Sequence, residues 1–383
     1  MTGAAVFTRS QTAAVMIVGI VGVLIPGLQP QLLGALLTEG RVSTSALGLL
    51  ATAELLAMGI AAAASGLLLP VDRLRLVAGT ALTVTALLDL ATCWASEAAL
   101  FAARTVAGLA EGVLIWIAIG LIVRVARPER WSGIYLALQT LAQLGFATAL
   151  GLAIVPAWGA SGGFALLALA TIAAFAALPW LPRAYAGLTY DEASGTALPA
   201  RGLVALAGVT LYLAFIVAVW VYIEPLGLQR GIDAATVRLV VPLALAMQVM
   251  GAATAAAIAG RLAPRRIVVC VAAGNLVLLA IMAAPPSAAA FVVATALFGF
   301  LWLFAMPFQV PILIATDPSR RAAVLIGGAQ LIGSSLGPFV AALLVSDADV
   351  RPVLWFGAVC AVTGVMALVG AGFGRTIANT QPI

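Results

Sequence analysis

The segment "LFAARTVAGLAEGVLIWIAIGL", residues 100–121, is apolar along nearly its whole length, yet it contains Arg104 and Glu111. A run of about 20 apolar residues is long enough to cross a bilayer as a helix. Seven residues make nearly two helical turns, so both charges lie on the same face. Charges inside a membrane helix are costly and face the interior of a helix bundle or a wet cavity. The segment therefore predicts a membrane helix with one polar face.

The rest of the chain has the same apolar character. Of its 383 residues, 64% are hydrophobic and only 9% are charged, whereas a soluble domain has roughly 25% charged residues. We predict an all-α membrane protein with twelve transmembrane helices in two pseudo-symmetric six-helix bundles, residues 1–181 and 202–383, joined by a cytoplasmic linker, 182–201. The predicted helices are 12–37, 45–69, 76–96, 98–125, 131–156, 162–181, 202–228, 235–260, 266–284, 287–315, 321–345 and 350–372.

The distribution of basic residues predicts the orientation in the membrane. All 19 basic residues are arginines. Apart from Arg104 within its helix, only Arg41, Arg230, Arg238 and Arg351 fall outside if both termini are placed inside. Loops rich in arginine stay in the cytoplasm. We therefore expect a multi-pass protein of the cytoplasmic (inner) membrane with both termini in the cytoplasm.

Several classes of site are disfavoured by what the sequence lacks. It has no histidine, only three scattered cysteines and no nucleotide-binding loop of the G-x-x-x-x-G-K-S/T type. These features argue against a metal site, a cofactor, a disulfide framework and ATP drive. The arginines are scattered through short loops, which disfavours nucleic acid as a partner. We expect a monomer that is not an enzyme, with membrane lipid, protons and a small molecule as its partners.

An internal repeat is visible in the connecting turns. "GLLLPVDRLRLV" begins at Gly66 and "GRLAPRRIVVCV" begins at Gly260, and both read G-x-L-x-P followed by arginine. "ARPERWSG" and "TDPSRRAA" place Pro128 and Pro318 at nearly the same offset, about half the chain. Parallel repeats of six helices are related by an axis along the membrane normal and hold substrate between them near midplane. The repeat thus predicts a transporter.

These motifs resemble those of the major facilitator superfamily. Arg104, with glycines four and eight residues later, is similar to the family's helix 4 motif. The turns after helices 2 and 8 resemble its helix 2–3 signature, except that Pro70 and Pro264 stand where the family usually has Asp. "GSSLGPFVAALL", from Gly333, resembles a Gly-Pro motif of proton antiporters, although it lies in helix 11. The resemblance implies a twelve-helix transporter of the drug or metabolite:proton type.

Buried charges are the candidates for proton coupling. Counted from the turn between helices 3 and 4, Asp89 and Arg104 lie at similar depth, so we predict an ion pair. Glu54 and Glu111 fall near midplane, where we find no arginine at the same depth. Because histidine is absent, carboxylates must carry any coupled proton. Two alternatives stay open: the Asp89–Arg104 pair only neutralises charge, or Glu111 stays protonated and bonds to the helix backbone.

Polar and aromatic side chains within the helices are the candidates for substrate binding. Amides inside membrane helices line cavities or join helices, so each one has a purely structural alternative. Glu224, followed by Pro225, is either interfacial or an outer-gate carboxylate. We also expect Pro26, Pro307 and Pro311 to bend their helices. The predicted substrate-binding residues are Gln29, Arg104, Trp116, Gln139, Gln143, Tyr222, Glu224, Gln248, Trp302, Gln309 and Gln330.

Together these features predict a proton-coupled secondary transporter of a small amphiphilic organic molecule, working by alternating access. The acidic excess and the Gly-Pro motif favour export by proton antiport. Uptake of an organic acid by proton symport, with Arg104 binding the carboxylate, is one alternative. A second alternative is an uncoupled facilitator or lipid flippase in which the carboxylates are structural.

Overall fold

The computed structural model describes residues 7–95, 97–122, 124–125, 128–185, 198–258, 261–285, 287–317 and 321–371. Within these ranges the chain forms helices and turns, with no β-strand. It divides into two compact units, Met1–Ala193 and Ser194–Ile383, each with six transmembrane helices. Residues 186–197 of the predicted linker, and Gly260 and Pro318 of the repeated turns, lie outside the described residues.

Six helices make up the N-terminal unit, and all lie close to the predicted spans. The first two are α1, which consists of Arg9–Val21 and Leu24–Thr38, and α2, Thr44–Leu68. The next two are α3, Leu74–Thr92, and α4, Glu97–Ile122. The last two are α5, Pro128–Ala149 with a π-helical turn Leu150–Ile154, and α6, Val155–Ala174 with a 3₁₀ turn Phe175–Trp180.

The C-terminal unit repeats this arrangement. Its first helices are α7, which consists of Ala200–Val221 and Ile223–Gln229, and α8, Ala234–Ile258. They are followed by α9, Pro264–Ala283, and α10, Ala288–Thr316. The last are α11, which consists of Arg321–Val324 and Ile326–Leu344, and α12, Pro352–Gly370.

Helices α5 and α6 form one uninterrupted apolar segment that crosses the membrane twice. The segment Gly133–Trp180 has 48 residues, which would make a helix of about 70 Å, more than twice the bilayer core. The chain reverses near Gly159, which has φ 60° and ψ −154°. A Cβ atom on Gly163 would lie 3.3 Å from Cδ2 of Leu150, although a straight helix would separate these residues by about 20 Å. Together with the ten other spans, this hairpin gives twelve crossings.

The same helix pairs pack together in both units. In the N-terminal unit, α4 packs against α2 and α3, α3 against α6, and α1 against α5. In the C-terminal unit, α10 packs against α8 and α9, α9 against α12, and α7 against α11. The internal repeat that is visible in the turns is therefore also present in the packing.

One pair of glycines makes the same close helix contact in both units. Gly108 on α4 lies so close to α2 that a Cβ would collide with the carbonyl oxygen of Glu54. Gly299 on α10 lies in the same way against the carbonyl oxygen of Ala244 on α8. Only a residue without a side chain allows backbones to approach so closely, as is common between membrane helices.

A second repeated contact joins the end of the first helix of each unit to the start of its sixth helix. Oε1 of Glu39 accepts a hydrogen bond from the backbone N–H of Ala160 at 2.7 Å. In the C-terminal unit, Oε1 of Gln229 accepts from the backbone N–H of Val350 at 2.9 Å. The same offset separates Glu39 from Gln229 and Ala160 from Val350, so the two units share this hydrogen bond although only one acceptor can carry a charge.

Helix α1 is broken at Gly22 and Val23, four and three residues before Pro26. Proline has no N–H to bond the carbonyl group four residues earlier, so a break here is expected. Nε2 of Gln143 on α5 donates to the carbonyl oxygen of Val23 at 2.6 Å and so ties α5 to this break. By contrast, α10 continues as one helix through Pro307 and Pro311.

Candidate functional site

Arg104 lies at the centre of a charge cluster inside the N-terminal unit and has no solvent-accessible surface. Its Nε donates to Oε1 of Glu54 on α2 at 2.7 Å, and its Nη2 also contacts that oxygen. Its Nη1 donates to Oδ1 of Asp89 on α3 at 2.7 Å. Its Nη2 lies 3.2 Å from Oε1 of Glu111, on α4 itself. One guanidinium group therefore joins three carboxyl groups from three helices.

The local structure explains why these groups meet. Gly108 lies between Arg104 and Glu111 on the same face of α4, and it is the residue that contacts the backbone of Glu54. This close approach brings the Glu54 side chain within reach of the guanidinium group. On a helix, the Cα–Cβ bond tilts toward the N-terminus, so the Glu111 side chain leans back toward Arg104.

The predicted Asp89–Arg104 ion pair is present in the structure, with a distance of 2.7 Å. The expectation that Glu54 and Glu111 have no arginine at their depth was wrong, because both contact Arg104. Counting residues gives the depth of a Cα atom, whereas arginine and glutamate side chains each reach about a helical turn further along the membrane normal. Both glutamates are almost completely buried in the N-terminal unit, with 1% and 3% exposed.

Two further side chains complete the cluster. Nε2 of Gln29 on α1 donates to Oε2 of Glu54 at 3.4 Å, so a residue predicted to bind substrate contacts the charge cluster directly. The guanidinium carbon of Arg104 lies 5.2 Å from the centre of the Phe164 ring on α6, a cation–π contact. Nothing in the sequence distinguished Phe164, because its role depends only on where α6 packs.

The cluster has an excess of acid and, among the described residues, two acceptor oxygens without a partner. Glu54, Asp89 and Glu111 face a single guanidinium group, so full ionisation leaves two negative charges uncompensated. Within the described residues, Oε2 of Glu111 and Oε1 of Gln29 are buried without a hydrogen-bond partner. An unpaired buried acceptor costs free energy. A proton on Oε2 of Glu111, or a hydrogen-bond donor of a ligand at either oxygen, would remove this cost.

The C-terminal unit has no counterpart of this charge cluster at the equivalent positions. Arg104 lies four residues before Gly108, and Thr295 lies four residues before Gly299. Glu111 lies three residues after Gly108, and Trp302 lies three residues after Gly299. Ala244 stands where Glu54 does. The repeat is therefore structural, whereas the arginine-centred charge cluster belongs to the N-terminal unit.

The other candidates in the N-terminal unit lie apart from the cluster. Gln143 is buried and uses its amide nitrogen to bond Val23, so this group has a structural role in α1. Trp116 is half-buried and packs against the hydrophobic core of the unit. Gln139 is half-buried on α5.

The C-terminal candidates include several buried groups that lack partners. Within the described part of the chain, Nε2 of Gln248, both side-chain polar atoms of Gln309 and Oε1 of Glu224 form no hydrogen bond. Such atoms are where a polar ligand or an ordered water would bind. Trp302 is half-buried and packs edge-to-face on Trp220, with ring centres 5.7 Å apart. The remaining two are Tyr222, fully buried at the break in α7, and Gln330, half-buried on α11.

Comparison with solved structures identifies the fold. A variant of the nucleoside transporter NupG has a TM-score of 0.71 at 11% identity, covering 94% of this chain and 99% of that one. A D-xylose–proton symporter has a TM-score of 0.70 at 13% identity, covering 94% and 95%. A bacterial homolog of the human lysosomal transporter Spinster, in an inward-facing and occupied conformation, has a TM-score of 0.59 at 15% identity, covering 95% and 94%. No protein-family model and no curated protein sequence matches the chain.

Proposed function

We propose that this chain, which has the fold of major facilitator superfamily transporters, is a proton-coupled secondary transporter of a small amphiphilic organic molecule. Its twelve membrane-spanning helices form two repeated bundles, the construction that supports alternating access. We further propose that it is a monomer of the cytoplasmic membrane. The arginine distribution supports an orientation with both termini inside.

One observation carries the proposal: Arg104 contacts three buried acids, and one of them has an oxygen without a hydrogen-bond partner among the described residues. An ion buried in a low-dielectric site costs several kcal/mol unless it is fully paired. Glu54 is bonded through both oxygens. Within the described part of the chain, Glu111 has a single hydrogen bond, the 3.2 Å contact to Arg104. In our proposal it is therefore the acid that loses least hydrogen bonding when it takes up a proton.

The cycle follows from this difference between the acids. In our proposal Glu54 and Asp89 hold the guanidinium group in place, while Glu111 is protonated from one side of the membrane and deprotonated toward the other. Protonation of Glu111 reduces the negative excess of the cluster, and its loss restores that excess. Substrate and proton are coupled if the binding of each one changes the affinity of the cluster for the other through its charge.

Export by proton antiport is the direction we favour. A cluster with surplus acid attracts a cation or a proton and lets the two compete. The Gly-Pro motif adds little support, because Gly333 and Gly337 lie against carbonyl groups of Thr210 and Ala214 on α7 and thus serve close helix packing.

Proton symport is the second candidate function. The fold is shared with a D-xylose–proton symporter, and Arg104 offers a guanidinium group that an organic acid could bind in place of Glu111. An outward-directed substrate flux driven by external acid supports antiport, whereas an inward flux under the same gradient supports symport.

The test begins with a thermal-shift screen of a compound library in detergent, which identifies a ligand that stabilises the protein. The ligand is then used in proteoliposomes with an imposed pH gradient. Glu111→Gln keeps an acceptor for Arg104 but carries no exchangeable charge, so gradient-driven transport should be lost while exchange of substrate across the membrane persists. Glu97→Gln, an exposed acid in the first turn of the same helix, is the matched control and should behave as wild type.

Two results would contradict proton coupling through Glu111. If Glu111→Gln still accumulates substrate against its gradient, another group carries the proton. If the wild-type flux does not respond to the pH gradient at all, the chain is an uncoupled facilitator or a flippase and the acids are structural.

A further inference from the structure

A groove of about 410 Å³ lies beside the turn between α8 and α9 in the C-terminal unit. The turn and the first helical turn of α9 form its mouth, and one face each of α9 and α10 forms its walls. The residues that define it here are Arg261, Leu262, Arg266, Cys270, Leu301 and Phe304.

The mouth of the groove carries two positively charged side chains. Arg261 and Arg266 are both exposed. Among the described residues, neither guanidinium group forms an ion pair. The mouth also coincides with the N-terminus of α9, whose free N–H groups add partial positive charge.

Away from the mouth the groove is apolar. Ile267 and Val271 are buried at its base, while Leu301 and Phe304 on α10 are half-buried along its side. A site with two cations at one end and a hydrocarbon-like channel beyond them matches an amphiphile with an anionic head and an apolar tail.

In the N-terminal unit, residues 181–183 cover the equivalent turn. Nε of Arg75, in the first turn of α3, donates to the carbonyl oxygen of Leu181 at 2.8 Å. The backbone N–H of Leu74 donates to the carbonyl oxygen of Arg183 at 3.0 Å. Beyond α12, residues 372–383 lie outside the described part of the chain.

We propose that this groove binds an anionic phospholipid of the surrounding bilayer. Its phosphate accepts charge-assisted hydrogen bonds from Arg261 and Arg266, and one acyl chain lies against Cys270, Leu301 and Phe304. Basic pockets between membrane helices recognise such head groups. The lipid supplies in the C-terminal unit the acceptor atoms that residues 181–183 supply in the N-terminal unit.

The first test measures lipid binding to the purified full chain by native mass spectrometry, with added phosphatidylglycerol or phosphatidylcholine. Wild type should retain phosphatidylglycerol in preference to phosphatidylcholine. Each of Arg261→Gln and Arg266→Gln should weaken retention about fivefold. Arg265→Gln removes the same charge from the same turn but does not line the groove, so it should retain lipid as wild type does. Arg266→Lys, which keeps the charge, separates loss of binding from loss of folding.

The second test places a reporter in the groove. Of the three cysteines, Cys270 is exposed and lines the groove, whereas Cys93 and Cys360 are buried. A bimane group on Cys270 should be quenched more strongly by brominated phosphatidylglycerol than by brominated phosphatidylcholine. Arg261→Gln combined with Arg266→Gln should remove the difference.

The proposal is overturned if both lipids are retained and quench equally, or if Arg265→Gln loses binding as strongly as Arg266→Gln. It is also overturned if inorganic phosphate displaces phosphatidylglycerol at comparable concentration, because the apolar groove would then contribute nothing and the site would be a simple anion site. Neither result bears on Glu111, so proton coupling is tested separately.

Discussion

Nη2 of Arg104 lies 3.2 Å from Oε1 of Glu111, a residue two turns further along the same helix. The backbone separation of two residues on one helix is fixed by the helix geometry and does not depend on neighbouring helices. Glu54 and Asp89, by contrast, are held on α2 and α3, so their contacts with Arg104 depend on how those helices pack. The charge cluster thus combines one pair within a helix with two pairs that depend on helix packing.

Removing the central charge should destabilise the N-terminal unit strongly. Arg104→Gln leaves three acids buried without a cation, which costs about 3–5 kcal/mol. We expect a large fall in the thermal unfolding temperature in detergent at neutral pH. Lowering the pH protonates the acids and should recover part of the loss. The control is Arg73→Gln, an exposed arginine, which should change stability by less than about 0.5 kcal/mol. A variant Arg104→Gln as stable as wild type at neutral pH would mean that the acids are already neutral.

The two glutamates should differ in their effect on stability. Glu54 accepts hydrogen bonds from Arg104 and from Gln29, whereas Glu111 has the single contact to Arg104. Charged hydrogen bonds contribute about 1.5–3 kcal/mol each. Glu54→Gln should therefore lower the unfolding temperature clearly, and Glu111→Gln should lower it little. The reverse order would contradict our assignment of Glu54 as the holding group and Glu111 as the proton carrier.

The close helix contacts predict parallel effects in the two units. Gly108→Ala and Gly299→Ala both force a methyl group against a carbonyl oxygen of the neighbouring helix, which costs about 1–3 kcal/mol. Gly145→Ala is the control, because no atom lies within 4 Å of its added Cβ, and alanine favours the helix by about 0.5–1 kcal/mol. Thermal unfolding of the three variants measures the effect. If Gly299→Ala were neutral while Gly108→Ala was not, the two units would not share this contact.

The repeated hydrogen bond at Glu39 and Gln229 predicts that the charge on Glu39 is dispensable. Glu39→Gln creates the same amide acceptor that Gln229 provides in the other unit, so the bond to Ala160 should persist. Glu39→Ala removes the acceptor and should cost about 1 kcal/mol. Hydrogen exchange at the Ala160 amide measures this locally: we expect faster exchange in Glu39→Ala and nearly unchanged exchange in Glu39→Gln. Equal acceleration in both variants would show that charge, through Arg41 at 3.8 Å, matters more than the hydrogen bond.

Part of the charge cluster could be predicted from sequence. The Asp89–Arg104 pair follows from residue counting, because both residues lie about two turns from one short connection. Glu54 could not be joined to Arg104 in this way, since depth along the membrane does not specify which face of α2 is turned toward α4. Phe164 and Gln29 were beyond such counting for the same reason: their contacts depend on α6 and α1 reaching the cluster from distant parts of the chain.

The sequence by itself determined the class of the protein, its twelve helices, its internal repeat and the presence of charges that must avoid lipid. These properties follow from local composition, because a bilayer demands about 20 apolar residues for each crossing. Only the tertiary structure decided that one arginine contacts three acids and that, among the described residues, Oε2 of Glu111 has no hydrogen-bond partner. Those outcomes depend on helix rotation and on close approach at residues such as Gly108, which arise from packing between segments some 50 positions apart.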